Sequence, residues 1–95
     1  MRDYEMVTVW NPDLGEDGTT SSLDRLSTSI SRGGGEVTDT NIWGRRRLAY
    51  HIDRHAEGVY VVMQVKMEAG RAAELESQLR INEDVLRHLL VRKDA

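Results

Sequence analysis

The chain has 95 residues, 39% of them hydrophobic, and a formal net charge of −3, which fits one small globular domain over residues 1–95. It has no cysteine, so a disulfide framework and thiolate chemistry are excluded and a reducing cytosol fits. No apolar run approaches the roughly 18 residues of a membrane span, and the N-terminus has no signal-peptide pattern, so we expect no membrane partner.

The charge is divided unevenly along the chain. Residues 1–43 contain three basic and eight acidic residues, whereas residues 44–95 contain ten basic and eight acidic residues. The basic excess begins at Arg45–Arg47. The net negative charge of the whole chain argues against a strong stand-alone nucleic-acid binder. The distribution of charge matters more than this total, because the arginine run concentrates positive charge in one segment.

The first predicted element is a strand over Tyr4–Trp10, because its side chains alternate in character. Val7 and Val9 then fall on the face away from the core. The following residues, Asn11-Pro12-Asp13, stop the strand, since proline cannot continue a paired strand and Asn and Asp favour turns.

A helix is predicted next over Thr19–Arg32, after a loop over Gly15–Gly18. Its apolar residues recur at helical spacing and form one buried stripe: Leu23, Leu26 and Ile30. Gly33–Gly35 is expected to end the helix, since glycine favours the conformation that follows many helices. A phosphate-binding glycine loop is the alternative, but such loops precede a helix N-terminus and this one follows a helix.

Glu36–Ile52 is extended in character, yet a strand of this length would reach roughly 56 Å, far beyond the usual size. Val37 is an odd-numbered apolar residue, whereas the later apolar residues have even numbers: Leu48, Tyr50 and Ile52. A regular strand would place these two sets on opposite faces. A bulge near Gly44 would reconcile both facts and direct the later set toward the core. The outer half should project as a ribbon that a hairpin turn over Asp53–Gly58 closes.

Three further elements complete the chain: a strand over Val59–Met67, a helix that begins at Ala69 and breaks at Asn82, and a last strand over Val85–Lys93. The buried stripe of this helix is Ala72, Leu75 and Leu79. The order of strands and helices is the split βαβ pattern, so we predict an α+β, ferredoxin-like βαββαβ fold. Both helices should cover one face of a four-stranded antiparallel sheet.

The other face of this sheet is expected to carry apolar side chains: Val7, Val9, Tyr60 and Val62. An apolar open face generally marks an interaction surface, and we predict that a partner binds there. The alternative is a set of scattered surface valines, which soluble proteins tolerate.

No constellation of residues predicts catalysis. His51 and His55 lie across a strand end and a turn, which argues against a metal site. The Ser and Thr residues of the first helix have no neighbouring histidine in the sequence to activate them. Small acyl-phosphate hydrolases of this fold need an arginine in the first loop, and residues 11–18 contain none. We therefore expect no enzyme activity, no cofactor and no small-molecule substrate.

The arginine run Arg45–Arg47 is the clearest signal for binding. Guanidinium groups are planar, permanently charged forks that match phosphate oxygens. A solvated charge run on a protruding strand is the alternative. Further basic residues support the phosphate hypothesis, and the predicted RNA-binding set is Arg2, Arg45, Arg46, Arg47, Arg87, Arg92 and Lys93.

Several motifs resemble the bacterial small-subunit ribosomal protein S6 family. They are Arg2-Asp3-Tyr4-Glu5, Asn11-Pro12, Gly44-x-Arg46-Arg47-Leu48-Ala49-Tyr50-x-Ile52, Gly58-x-Tyr60, Gln64-Val65, Leu79-Arg80 and Leu86-Arg87. The resemblance covers Met1 to about Lys93. The chain departs from the family at Thr8, where an aliphatic residue is usual, in the Ser- and Thr-rich first helix, and at Gly33–Gly35.

The resemblance implies a structural protein of the small ribosomal subunit, hence a cytoplasmic one. It implies binding to the central domain of the small-subunit ribosomal RNA as a heterodimer with ribosomal protein S18. In that family the S6 member binds RNA poorly alone, so the partner supplies much of the positive charge and the open sheet face becomes its docking surface.

An RRM-like single-stranded RNA-binding module is the rival interpretation, because such modules share this order of elements. They stack bases on aromatic residues of the two central strands. Here those strands offer mainly Tyr60 among valines, which disfavours the rival.

Overall fold

The computed structural model describes residues 1–93 as one four-stranded antiparallel sheet with two helices. The elements follow in this order: β1 (Arg2–Trp10), α1 (Gly15–Arg32), β2 (Glu36–Ile52), β3 (His55–Met67), α2 (Ala72–Ile81) and β4 (Val85–Arg92). Short 3₁₀ turns, Pro12–Leu14 and Ala69–Arg71, lead into the two helices. The strands lie in the order β2-β3-β1-β4. The predicted ferredoxin-like α+β fold is confirmed.

Both helices pack on the same face of the sheet through apolar stripes at helical spacing. The buried stripe residues are Leu23, Leu26 and Ile30 on α1, and Leu75 and Leu79 on α2, as the sequence predicted. They meet the side chains of the central strands: Tyr4, Met6, Trp10, Val61, Met63, Val65 and Met67. Removing this apolar surface from water is the main source of stability.

A buried polar contact explains one departure from the resembled family. Thr8 and Trp10 are both fully buried. Trp10 Nε1 donates a hydrogen bond to Thr8 Oγ1 at 2.7 Å, and that hydroxyl donates to the carbonyl oxygen of Val61 at 3.3 Å. A buried N–H without a partner costs about 1–3 kcal/mol. Thr8 therefore satisfies a donor that an aliphatic residue would leave unpaired.

The helix α1 begins earlier than its periodicity indicates. The predicted loop over Gly15–Gly18 forms its first turn, so that prediction was wrong. The preceding 3₁₀ turn already directs the chain into the helix, with Asn11 Oδ1 accepting a hydrogen bond from the Asp13 N–H at 2.9 Å. Glu16 and Asp17 lie in the first turn, where negative charge complements the helix dipole. These interactions outweigh the low helix propensity of glycine.

The three glycines after α1 make a close connection to β2. Gly34 has a φ of +88°, which glycine adopts without strain. A Cβ at Gly35 would approach Ile30 Cγ2 to 2.9 Å and the Lys66 carbonyl oxygen to 3.0 Å. Helix termination and close packing therefore account for this triplet.

The long strand β2 is interrupted by register shifts against β3. One shift lies between Val37 and Asp39, and the next lies between Ile42 and Gly44. The second shift confirms the predicted bulge, where Gly44 has a φ of +87°. Each of these two shifts exchanges the odd-numbered and even-numbered side chains that face the helices. After both shifts, odd-numbered residues such as Arg45 lie on the helix side again, as Val37 does before them.

The apolar residues in the outer half of β2 therefore do not enter the core, and that prediction was wrong for Leu48, Tyr50 and Ile52. Tyr50 is 63% exposed, and the other two are half-buried. Leu48 lies on the face away from the helices, where its side chain approaches Gly58 beside Val9. For Leu48 the cause is the additional shift after Val37, and Tyr50 and Ile52 lie in or beyond a third shift after Arg47; the sequence pattern indicated neither shift.

The hairpin between β2 and β3 closes more tightly than predicted. Asp53 and Arg54 form the turn with φ values of 48° and 70°, and His55–Gly58 already belongs to β3. Positive φ at both central residues is the pattern of a type I′ turn, whose twist matches that of the flanking strands. The predicted turn over Asp53–Gly58 was therefore too long.

We expect Gly58→Ala to destabilise the protein by about 1–3 kcal/mol, because a Cβ at this position would overlap with Val9 Cγ1. Urea unfolding would measure the change. Gly70→Ala is the matched control, since a Cβ there meets nothing within 4 Å. Equal stability of the two variants would contradict the close packing of Gly58.

Candidate interaction surfaces

The outer arm of the β2–β3 hairpin, residues 44–58, forms a positively charged surface that we call the basic ribbon. It contains four exposed arginines and two carboxylates: Arg45, Arg46, Arg47, Arg54, Asp53 and Glu57. The rest of the chain has nine basic and fourteen acidic residues. The ribbon is therefore a local cationic region on an otherwise acidic protein. Arg54 was not among the predicted binding residues, because the sequence placed it inside a loop.

Within the ribbon, Arg45 is held by the protein itself. Its Nη1 lies 3.6 Å from Glu57 Oε1, and its Nη2 donates to the Pro12 carbonyl oxygen at 3.4 Å. Arg46 Nη1 donates to the neighbouring Arg45 carbonyl at 3.0 Å. Within residues 1–93, neither Arg46 nor Arg47 has a carboxylate within ion-pair distance. Arg54 likewise has no carboxylate within ion-pair distance in this part of the chain, so Arg46, Arg47 and Arg54 are more available to an external anion than Arg45.

The three arginines alternate between the two sides of the hairpin. Arg45 lies opposite Val59, whose side chain points toward the helices, whereas Arg46 lies opposite Gly58 on the other side. Arg47, opposite Glu57, returns to the helix side. The ribbon therefore presents positive charge from both of its faces.

The other predicted RNA-binding residues fall into two places. Arg87 is paired with Val9, in the same cross-strand row as Gly44, so it lies at the ribbon end of the sheet. Arg2, Arg92 and Lys93 lie at the opposite end, where Arg92 is paired with Tyr4 and the Lys93 N–H donates to the Asp3 carbonyl at 2.8 Å. Five residues of strand separate the two ends, which is roughly 17 Å. The set is therefore not one patch, and its contact with RNA stays a prediction.

The sheet face away from the helices, which we call the open face, is organised in rows across three strands. One row joins Val62, Val7 and Leu89, and the next joins Tyr60, Val9 and Arg87. Leu89 is 55% exposed and is the most solvent-accessible apolar side chain of these rows. Val7 and Tyr60 are half-buried. The centre of the open face is therefore apolar.

The four predicted partner-binding residues differ in how much surface they offer. Val9 and Val62 are only 3% and 8% exposed, so they offer almost no surface to a partner. Val7 and Tyr60 retain part of their surface. Two further apolar residues on β4, Leu89 and Val91, are more exposed than any of these four. The alternation of side chains along β4 is visible in the sequence. Which face of the sheet Leu89 and Val91 occupy depends on the β1–β4 register.

A polar network borders one side of the open face. Gln64 Nε2 donates to Glu5 Oε1 at 3.2 Å, and Lys93 Nζ donates to Gln64 Oε1 at 2.9 Å. The network joins β1, β3 and the end of β4. A partner on this face would thus meet an apolar centre with a hydrogen-bonding rim, the usual anatomy of a protein interface.

Among residues 1–93, no group of three or more His, Asp or Glu side chains is placed to hold a metal ion. In the same part of the chain, neither helix has the length and hydrophobicity of a transmembrane span. Along the central strands, Tyr60 is the aromatic residue on the open face, because Tyr4 and Trp10 point into the core.

Comparison with known proteins identifies the family. The model of the family described as ribosomal protein S6 matches residues 3–92. The chain belongs to the ribosomal protein S6 family. This result confirms the family that the motif around Gly44–Ile52 indicated.

Individual relatives in the ribosomal protein S6 family align along nearly the whole chain. The small ribosomal subunit protein bS6 of Beutenbergia cavernae is 44% identical over 95 residues, covering 100% of this chain and 99% of the relative. That of Mycolicibacterium paratuberculosis is 45% identical over 94 residues, covering 99% and 98%. The crystal structure of 30S ribosomal protein S6 from Thermotoga maritima superposes with a TM-score of 0.89 at 25% identity, covering 97% of this chain and 87% of that one.

Proposed function

We propose that this chain is a structural, non-catalytic constituent of the small ribosomal subunit and acts in the cytoplasmic ribosome. It binds the central domain of the small-subunit ribosomal RNA together with ribosomal protein S18. Its membership of the ribosomal protein S6 family and the names of its bS6 relatives support the assignment to the subunit.

The basic ribbon is the observation that best supports RNA binding. Its arginines stand on an arm of the sheet, and Arg46 and Arg47 have no carboxylate partner within residues 1–93. Guanidinium groups bind phosphate oxygens in a bidentate manner without reading the base sequence. The ribbon would therefore position the protein on RNA, and specificity would come from RNA shape and from the partner.

The open face supports the proposal of a protein partner. A protein with a net negative charge binds RNA more tightly when a positively charged partner protein binds beside it, because the partner neutralises additional phosphates. The exposed apolar side chains Leu89 and Val91 offer the surface on which such a partner can dock. Burial of this surface would add the hydrophobic part of the binding energy.

Filter binding with an RNA fragment of the central domain tests the proposal. The chain alone, ribosomal protein S18 alone and an equimolar mixture are titrated, with a large-subunit RNA fragment of equal length as control. We expect the mixture to bind the central-domain fragment at least about tenfold more tightly than either protein alone, a coupling of about 1.4 kcal/mol. Tight binding by the isolated chain with no gain from the partner would overturn the proposal.

A further inference from the structure

Two large aromatic side chains are exposed on β2, on either side of the arginine run. Trp43 is 50% exposed and Tyr50 is 63% exposed. Trp43 lies in the register shift between Ile42 and Gly44, and Tyr50 lies in a further shift between Arg47 and Ile52. Neither aromatic residue has a cross-strand partner in β3, whereas the arginines between them are paired. Both rings therefore stand at breaks in the strand ladder.

Such breaks redirect side chains, and they occur often beside functional sites. Here they turn apolar rings toward solvent rather than toward the core of the protein. An exposed ring next to guanidinium groups also occurs at protein interfaces, where Trp, Tyr and Arg are enriched, but the positive charge of the ribbon favours a negatively charged partner. This combination is well suited to a nucleic acid whose bases are unpaired, since each base offers a face for stacking and each phosphate a negative charge.

We propose that the basic ribbon, together with Trp43 immediately before it, binds unpaired RNA nucleotides, with bases stacked on Trp43 and Tyr50 and phosphates held by Arg46 and Arg47. This inference rests on the proposed RNA-binding function and adds the form of RNA that the ribbon recognises. Double-stranded RNA hides the faces of its bases within the stack, so it would engage the arginines only. The Cα atoms of Trp43 and Tyr50 are at most about 23 Å apart on an extended strand, and the bulges shorten this span.

The two tryptophans of the chain allow a direct measurement of stacking. Trp10 is fully buried, so iodide quenches the fluorescence of Trp43 selectively. The full chain is titrated at low salt with a single-stranded oligouridylate, with an RNA duplex of equal length and with inorganic polyphosphate. We expect the oligouridylate alone to quench Trp43 emission and to protect it from iodide. Trp43→Phe should abolish the response.

Equal responses to all three probes, or no response to the oligouridylate, would overturn the stacking model. Either result would leave the proposed function intact if the chain and ribosomal protein S18 still bind the central-domain fragment together. Failure of that pair to bind the fragment would instead refute the proposed function, whereas oligouridylate quenching would still support the ribbon as a binding site for unpaired nucleotides.

Substitutions in the full complex provide the second test. We expect Trp43→Ala and Tyr50→Ala each to weaken binding of the central-domain fragment by about tenfold without changing its salt dependence, because stacking involves no ions. The variants Trp43→Phe and Tyr50→Phe should retain most of the affinity, since they keep a ring. Ile42→Ala is the matched control, as an exposed aliphatic residue of the same strand. Loss of S18 binding in the absence of RNA would show a protein interface instead.

Discussion

The double variant Arg46→Ala/Arg47→Ala is expected to lose about 100-fold in affinity for the central-domain RNA in the presence of ribosomal protein S18, because each arginine gives up a charge-assisted hydrogen bond of at least about 1.5 kcal/mol. The slope of log K against log salt should fall by about 1.4 to 1.8, since each phosphate contact contributes about 0.7 to 0.9. Titrations at four or more salt concentrations measure both quantities. Adding Arg45→Ala should change the slope less than either other substitution, because Arg45 is already beside Glu57.

A matched control separates a local effect from one of net charge. Arg71→Ala/Arg80→Ala removes the same charge from exposed residues at the two ends of α2, away from the ribbon. This control should bind RNA with nearly the wild-type slope. If both double variants lose affinity equally, the ribbon is not the RNA-binding surface.

The second large effect is expected on the open face. Leu89→Glu should reduce the affinity for ribosomal protein S18 by at least about 30-fold, the size of a hot-spot effect near 2 kcal/mol. Its stability should change little, since Leu89 is 55% exposed and outside the core. Calorimetric titration with S18 in the absence of RNA measures the first quantity, and urea unfolding measures the second.

Ile81→Glu is the control for this experiment, because it places the same charge on an exposed apolar residue at the end of α2. We expect it to bind S18 as the wild type does. A comparable loss of affinity in both variants would indicate that added negative charge, rather than the open face, weakens the complex.

Much of the fold could be predicted from local patterns. The apolar residues of α1 recur at the spacing that places them on one face of a helix. The alternation of side chains along β1 and β3 predicts one buried side for each strand. These periodicities need no knowledge of partners in space. The order of the elements then restricted the topology to the split βαβ arrangement.

What could not be predicted depends on pairing between distant segments. The shifts after Val37 and after Arg47 are visible only against β3, and together with the bulge at Gly44 they decide which side chains of the outer half of β2 face the helices. The turn at Asp53 and Arg54 has positive φ without glycine or asparagine, so it lacks the usual sequence signal. Local patterns therefore predicted the strands correctly, and they predicted the wrong facing only for the outer half of β2.

The sequence predicted which residue types form the candidate sites, but not which of these side chains are accessible to a partner. The arginine run is evident in the sequence, yet the tie between Arg45 and Glu57 arises only when the hairpin forms. Val9 and Val62 lie on the expected face of the sheet, but both are already buried in the folded chain. The exposure of Leu89 follows from the β1–β4 register, which no local pattern encodes.

The interrupted register of β2 also has a consequence for the chain before it joins a ribosome. β2 is an outermost strand, so one of its backbone edges has no neighbour in the described sheet. A long, straight edge of this kind is a template on which other chains can add strands and polymerise. The breaks beside Asp39, at Gly44 and beyond Arg47 divide that template into short lengths that differ in direction. The same irregularities that expose the ribbon thus help to keep newly made molecules apart.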